Sequence, residues 1–152
     1  MPNSLGGSRA VDSAPLSKPK NTTILSSIQL DGTLRYTTFS GGTTVERFKR
    51  YLETDLLPHL NENSVLIMDN MKSHHAKAVR NLLDSSGVRY IYLPPYSPDL
   101  NPIEKLWSKV KAFLRKFKAR TLDALPNAIQ NAFHSVTISD CSGWFRFCGY
   151  AL

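Results

Sequence analysis

The chain has 152 residues, 41% of them apolar and 10% aromatic, enough for one domain with a packed core and too apolar for a disordered segment. No apolar run approaches the roughly 20 residues that cross a bilayer, and Met1 to Lys20 lacks the apolar stretch of a secretory leader, so no membrane partner and a cytoplasmic location are expected. The net charge of +7 is concentrated: residues 105–120 hold seven basic side chains and no acid, so this one segment carries the whole excess, as a footprint for a polyanion would.

Met1 to Asn21, rich in Ser, Pro and Gly without periodicity, reads as a flexible lead-in, and 22–152 as the domain. Thr22–Leu30 reads as a strand, Asp31-Gly32 as a hairpin turn, and Leu34–Phe39 as the returning strand. Thr43 or Thr44 can cap a helix that carries Val45, Phe48, Tyr51, Leu52 and Leu56 at helical spacing. Val65–Met68 is a short continuous apolar run, as in a strand covered on both faces. A helix over about His75–Ser85, stopped by Gly87, and a strand over Arg89–Leu93 follow. The order of a meander and then strand–helix units predicts an α/β fold with a mixed sheet.

Three prolines in five residues (Pro94, Pro95, Pro98) stiffen the next stretch. Asn101 is a good helix cap, Pro102 suits the first helical position and Glu104 falls at the third, so a capping box is one reading of Glu104. The helix sets Leu106, Val110, Phe113, Leu114 and Phe117 on one stripe, with Glu104, Ser108, Lys111 and Arg115 opposite. Asp123–Phe133 reads as a shorter helix. The tail from Asp140 to Tyr150 reads as helical, packing Trp144, Phe145 and Phe147. Cys141 and Cys148 are too few for a disulfide framework or a four-ligand zinc site and read as buried thiols.

Asp69 stands where a buried strand ends, the place where α/β sheets line their ligand crevice, although an Asp there can also serve as a helix cap. Asn70 and His74 follow within a few residues. Glu104, at the head of the basic helix, is a second carboxylate on a different element. Carboxylates from separate elements are what metal-assisted phosphodiester chemistry uses to hold cations beside phosphates. Lys105, Lys109, Lys111 and Arg115 on the same helix are candidate DNA contacts, by position and charge alone.

Asp69 and Glu104 are separated by 34 residues. At that spacing, two segments together resemble one family. Val65-Leu66-Ile67-Met68-Asp69-Asn70, with Ser73-His74, is similar to the strand and second catalytic aspartate of bacterial insertion-sequence transposases of the mariner superfamily. The segment Leu93-Pro94-Pro95-Tyr96-Ser97-Pro98-Asp99-Leu100-Asn101-Pro102-Ile103-Glu104, with Trp107 and Lys111, resembles the same family's most recognisable motif, which ends in its third catalytic carboxylate. Cys141 and Gly149-Tyr150 are similar too, so the resemblance runs from about Thr22 to Leu152.

The resemblance implies a DDE catalytic domain with a ribonuclease-H-like mixed sheet flanked by helices. It implies DNA transposition as the function, through metal-dependent cleavage of transposon ends and strand transfer to target DNA. Asp69 and Glu104 would hold Mg2+ or Mn2+ in a two-metal site, with Asn70 and His74 as accessory residues. The implied partners are transposon-end and target DNA, and a second copy of the chain or an upstream-frame segment. One departure stands out: the family's first catalytic aspartate lies on a first, central strand upstream of the hairpin. Asp12 is the only acid before Asp31, in a Ser/Ala/Pro context, and neither is expected to replace it. The sequence therefore predicts a domain without its first strand, a truncated or split-frame fragment inactive alone. A non-catalytic DNA-binding or dimerising remnant is the rival reading.

Overall fold

A computed structural model of the chain describes residues 8–15, 22–117 and 125–150. Five strands form one mixed sheet: β1 (Ser8–Pro15), β2 (Thr22–Gln29), β3 (Leu34–Ser40), β4 (Val65–Met68) and β5 (Arg89–Tyr92). Their spatial order is β3-β2-β1-β4-β5. β1 runs antiparallel to β2 and parallel to β4, and β4 runs parallel to β5. The helices are α1 (Val45–Tyr51), α2 (Lys72–His75), α3 (Lys77–Ser86), α4 (Ile103–Phe117), α5 (Leu125–His134) and α6 (Ile138–Phe147).

The α/β class and the hairpin-then-crossover order are as the sequence predicts. The tight β2–β3 turn closes through Gly32 N–H donating to the Gln29 carbonyl at 3.0 Å, with Asp31 Oδ1 accepting from Thr33 N–H at 2.9 Å. Gly32 has φ +94°, and a Cβ there would lie 2.7 Å from Ile138 Cγ1, so glycine is required both by the turn and by the docking of α6. Thr44 caps α1 by accepting from Arg47 N–H at 3.2 Å. Gly87, at φ +76°, ends α3 in the left-handed conformation.

The expected absence of a first strand is corrected by β1. It occupies the centre of the sheet, inside the stretch read as a flexible lead-in, and bridges β2 and β4. Strands pair through backbone groups, and two interior strands facing an empty position would leave rows of unpaired N–H and C=O groups. A Ser/Ala/Pro-containing segment can satisfy them with no apolar pattern of its own, and Pro15 sits at the strand's end, where a missing N–H costs least.

The helices cover the two faces of the sheet. One core gathers Ile24 and Ile28 of β2 with Ile103, Leu106, Trp107 and Val110 of α4, Ile129 and Phe133 of α5, and Cys141 and Phe145 of α6. The other gathers Leu25 of β2 with Phe48 and Tyr51 of α1, Leu66 and Met68 of β4, and Val79 and Leu83 of α3. Alternation along β2 sends Ile24 and Ile28 to one face and Leu25 to the other. Each fully buried aliphatic side chain contributes roughly 1.5–3 kcal/mol. α6 begins with Thr137 and Asp140 in a capping box. Phe147 departs from expectation: it is 68% exposed, with the Lys105 ammonium over its ring. The side chains of Lys118 and Arg120, and the expected helix start at Asp123, lie outside the described residues.

Candidate active site at the strand ends

β4 and β5 are parallel, so both chains leave the sheet at the same edge. Leu93 N–H donates to the Met68 carbonyl at 2.8 Å, extending their ladder by one residue before the two segments part. A crevice of about 360 Å³ opens at this divergence. Asp69 and Asn70 line it from the end of β4, Leu93 to Pro98 from the proline-rich loop, and Asn101 and Glu104 from the head of α4. The two carboxylates singled out by sequence therefore share one crevice.

Asp69 is held from two sides. Its Oδ1 accepts from Met71 N–H at 3.3 Å and lies 2.8 Å from Nδ1 of His74. The Asp69 side chain keeps 27% exposure while His74 is fully buried. The imidazole stacks on Phe48 of α1 at 4.2 Å between centroids, and the His74 carbonyl accepts from the Tyr92 hydroxyl. Nε2 of His74 is buried with no hydrogen-bond partner. A buried N–H without an acceptor costs more than a buried lone pair, so the ring proton belongs on Nδ1, facing Asp69.

Glu104 starts α4, its N–H donating to the Asn101 carbonyl at 3.0 Å. Asn101, 1% exposed, caps the helix through Oδ1, which accepts from Ile103 N–H at 3.4 Å. The reciprocal half of a capping box would need the Asn101 N–H, but that group donates to the Pro98 carbonyl at 3.1 Å. The Glu104 carboxylate is thus not drawn back to the cap, and it lines the crevice instead.

Of the four basic candidates on α4, two are engaged elsewhere. Lys109 pairs with Asp140 on α6, and Lys105 covers Phe147. Helical spacing keeps Lys111 and Arg115 on the Glu104 side, and Arg115 is exposed. Cys141 and Cys148 are buried free thiols, as expected, and burial pushes Cys141 up to about 11.

Three features escaped the sequence. His75 bonds Asn70 Oδ1 through Nε2, receives Arg80 Nη2 at 2.7 Å on Nδ1, and stacks on Tyr92 at 3.8 Å. This cluster depends on the break between α2 and α3 at Ala76, which no periodicity announces. Tyr96, at φ +57°, is fully exposed on the rim of the crevice. A turn residue directly after Pro95, with no glycine to take the positive φ, was the available signal. Asp12 lies on the central strand opposite Ser26, and β1–β4 pairing ends at Val11 and Met68, so the next residues on these parallel strands are Asp12 and Asp69.

The sequence model of a family described as DDE superfamily endonuclease matches residues 4–126. The transposable element Tc1 transposase of Caenorhabditis elegans is 31% identical over 97 residues, 61% of this chain and 36% of that protein. The chain spans about a third of the length of the curated relatives it matches. Among solved structures, the Mos1 transposase catalytic domain with raltegravir and Mn superposes with a TM-score of 0.81 at 18% identity, covering 93% of this chain and 76% of that one. The Mos1 transposase paired-end complex with left transposon end gives 0.77 at 17% identity, covering 93% and 52%. At these identities the structural likeness establishes the fold, a ribonuclease-H-like core.

Proposed function

This chain belongs to the DDE superfamily endonucleases, and from that premise we propose that it is a catalytic domain of the mariner transposase kind, which cleaves and joins DNA at the ends of an insertion sequence. The observation that carries the proposal is Asp69 and Glu104 in one crevice, with the Glu104 carboxylate released from helix capping. The substrates are transposon-end and target DNA, the former at the carboxylates and its flanking phosphates along Lys111 and Arg115. A second copy of the chain, or an upstream transposase segment, is the expected protein partner.

The donor set is hard oxygen, which suits Mg2+ or Mn2+. Among the described residues no three His, Cys, Asp or Glu side chains cluster as a metal site. Asp69 and Glu104 would therefore hold cations with one further carboxylate, and the backbone register nominates Asp12, the residue level with Asp69 on the neighbouring strand. With Asp12 as third ligand, the proposed site would be complete within one chain. Bound there, divalent cations would activate the attacking oxygen and offset charge on the leaving oxygen.

The protein's own contribution is placement. His74 holds the Asp69 carboxylate in one orientation through Nδ1–H, and Asn70 is held at the rim by His75. α4 presents Glu104 from the opposite wall. In cleavage a water oxygen bonds to phosphorus and the strand's 3′ oxygen leaves with a proton. In joining, that 3′-hydroxyl attacks a target phosphodiester and displaces the target's 3′ oxygen. Each step exchanges one P–O bond for another, so no energy source is consumed, and positioning with charge neutralisation supplies the rate.

Mn2+ titration followed by electron paramagnetic resonance tests the site directly. Asp69→Asn and Glu104→Gln should each weaken binding at least about tenfold, with Asp12→Asn also weakening it, and plasmid nicking in Mn2+ should be lost in Glu104→Gln. Unchanged Mn2+ affinity in Glu104→Gln would overturn the assignment in favour of a non-catalytic DNA-binding remnant. Unchanged affinity in Asp12→Asn alone would move the third ligand to another chain.

A further inference from the structure

We infer that Tyr96 is a stacking platform for an unpaired nucleobase at the end of the DNA strand that enters the crevice, an inference that rests on the DNA-processing reading above. Pro95 and Tyr96 form the turn between β5 and α4, and Tyr96 takes φ +57° there. That region suits glycine or asparagine, because the Cβ of a larger residue crowds its own backbone. Among the described residues Tyr96 is the non-glycine residue with positive φ. Strain of this kind persists where the surroundings over-determine it, and here Pro94 and Pro95 stiffen one side while the tight turn Pro98–Leu100 holds the other.

The fold gains nothing from the ring. Tyr96 is 100% exposed, so its strained backbone is not repaid by burial. Phe147, the other well-exposed phenyl ring, has a lysine ammonium over it. Tyr96 instead stands on the rim of the crevice that holds Asp69 and Glu104. The wall it belongs to is built mostly of apolar groups (Leu93, Pro94, Pro95 and Pro98, with Ser97) and carries no cation. Phosphates have no reason to bind that wall, whereas the π-face of a base does. The basic side of α4 can take the phosphates. The crevice therefore has carboxylates at Asp69 and Glu104 and an aromatic face at the loop tip, and the cations Lys111 and Arg115 lie further along α4, outside its lining. Every base has a π-face, so the contact reads the unpaired state of the strand end and not its sequence.

Fluorescence anisotropy with the full chain decides this, using a blunt duplex and the same duplex carrying a three-nucleotide 3′ overhang with 2-aminopurine at its end. The unmodified chain should prefer the overhang and change the 2-aminopurine emission. Tyr96→Ala should weaken overhang binding at least about fivefold and leave blunt-duplex binding unchanged, while Tyr96→Phe and Tyr96→Trp retain the preference. Tyr96→Gly should lose the preference without a fall in Tm, which separates a stacking role from a folding role. Several results would overturn the inference: equal overhang binding by Tyr96→Ala, an equal loss in Tyr96→Phe, or no preference for the overhang in the unmodified chain. If Tyr96→Ala changes only the molecular mass in solution, the ring meets a second copy of the chain and the inference fails. If the unmodified chain binds neither DNA, the DNA reading falls with it.

Discussion

Asp69 and His74 show how one residue sets the state of another. A carboxylate at a strand end has several rotamers open to it, and the buried imidazole selects among them because its Nδ1 faces Asp69 alone, 2.8 Å from the carboxylate and 3.3 Å from the backbone carbonyl. Partners of this kind typically change metal affinity 10- to 100-fold when removed. His74→Phe keeps the stack on Phe48 but deletes the donor, whereas His74→Asn keeps a donor near the Nδ1 position. The expected result is Mn2+ affinity near that of the unmodified chain for His74→Asn and at least about tenfold weaker for His74→Phe, with comparable thermal stability. Equal loss in both variants, matched by equal loss of Tm, would reduce His74 to a packing residue. The sequence singled out His74 beside Asp69. Its burial was not readable there, because nothing local says that Phe48 of α1 will close over it.

At the scale of elements, α4 does two jobs with two faces. Leu106 and Val110 bury it against the sheet, and the polar side carries Glu104, Lys111 and Arg115. The flanking lysines tie it to α6. Asp140 accepts from Lys109 and from Thr137 N–H, and these two hydrogen bonds hold its carboxyl below the usual range. A lowered folded-state value means that the stabilisation is complete above the ordinary Asp value of about 3.8 and is lost as pH falls through the folded value below it. Asp140→Asn removes the charge of the pair and half of the capping box, a loss of roughly 1 kcal/mol. In thermal melts at pH 7 the variant should have a Tm about 2–4 °C lower, with the gap closing below about pH 3.8. A gap that stays constant down to pH 2.5 would show that the carboxylate's charge is irrelevant. The helix and its stripe were legible from periodicity, but the Lys109–Asp140 pairing was not, since the partners are 31 positions apart and only the packing of α6 brings them together.

For the whole molecule, the concentration of charge on one segment predicts how the proposed DNA substrate would be held. With Lys105 and Lys109 turned toward α6, the described cations left on the Glu104 side of α4 are Lys111 and Arg115. Replacing both with Ala should weaken binding about equally for unrelated sequences. It should also flatten the slope of log K against log salt by on the order of one to two units, since each phosphate contact released contributes about 0.9. A strong preference for one sequence that survives the double substitution would mean that base readout, not this face, governs binding.

The sequence by itself determined the elements whose cause is local. These are the hairpin at Asp31-Gly32, the buried run at Val65–Met68, the capped start and stripe of α4, and the pairing of Asp69 with Glu104 through a motif of characteristic spacing. Each rests on side-chain pattern or turn chemistry within a few residues. The tertiary structure decided what depends on backbone pairing and long-range packing. It filled the centre of the sheet with Ser8–Pro15, a segment with no apolar signature, because hydrogen bonding across a sheet needs only peptide groups and an open position. By the same pairing it brought Asp12 level with Asp69, a relation between residues far apart in the chain that exists only through the register of two parallel strands.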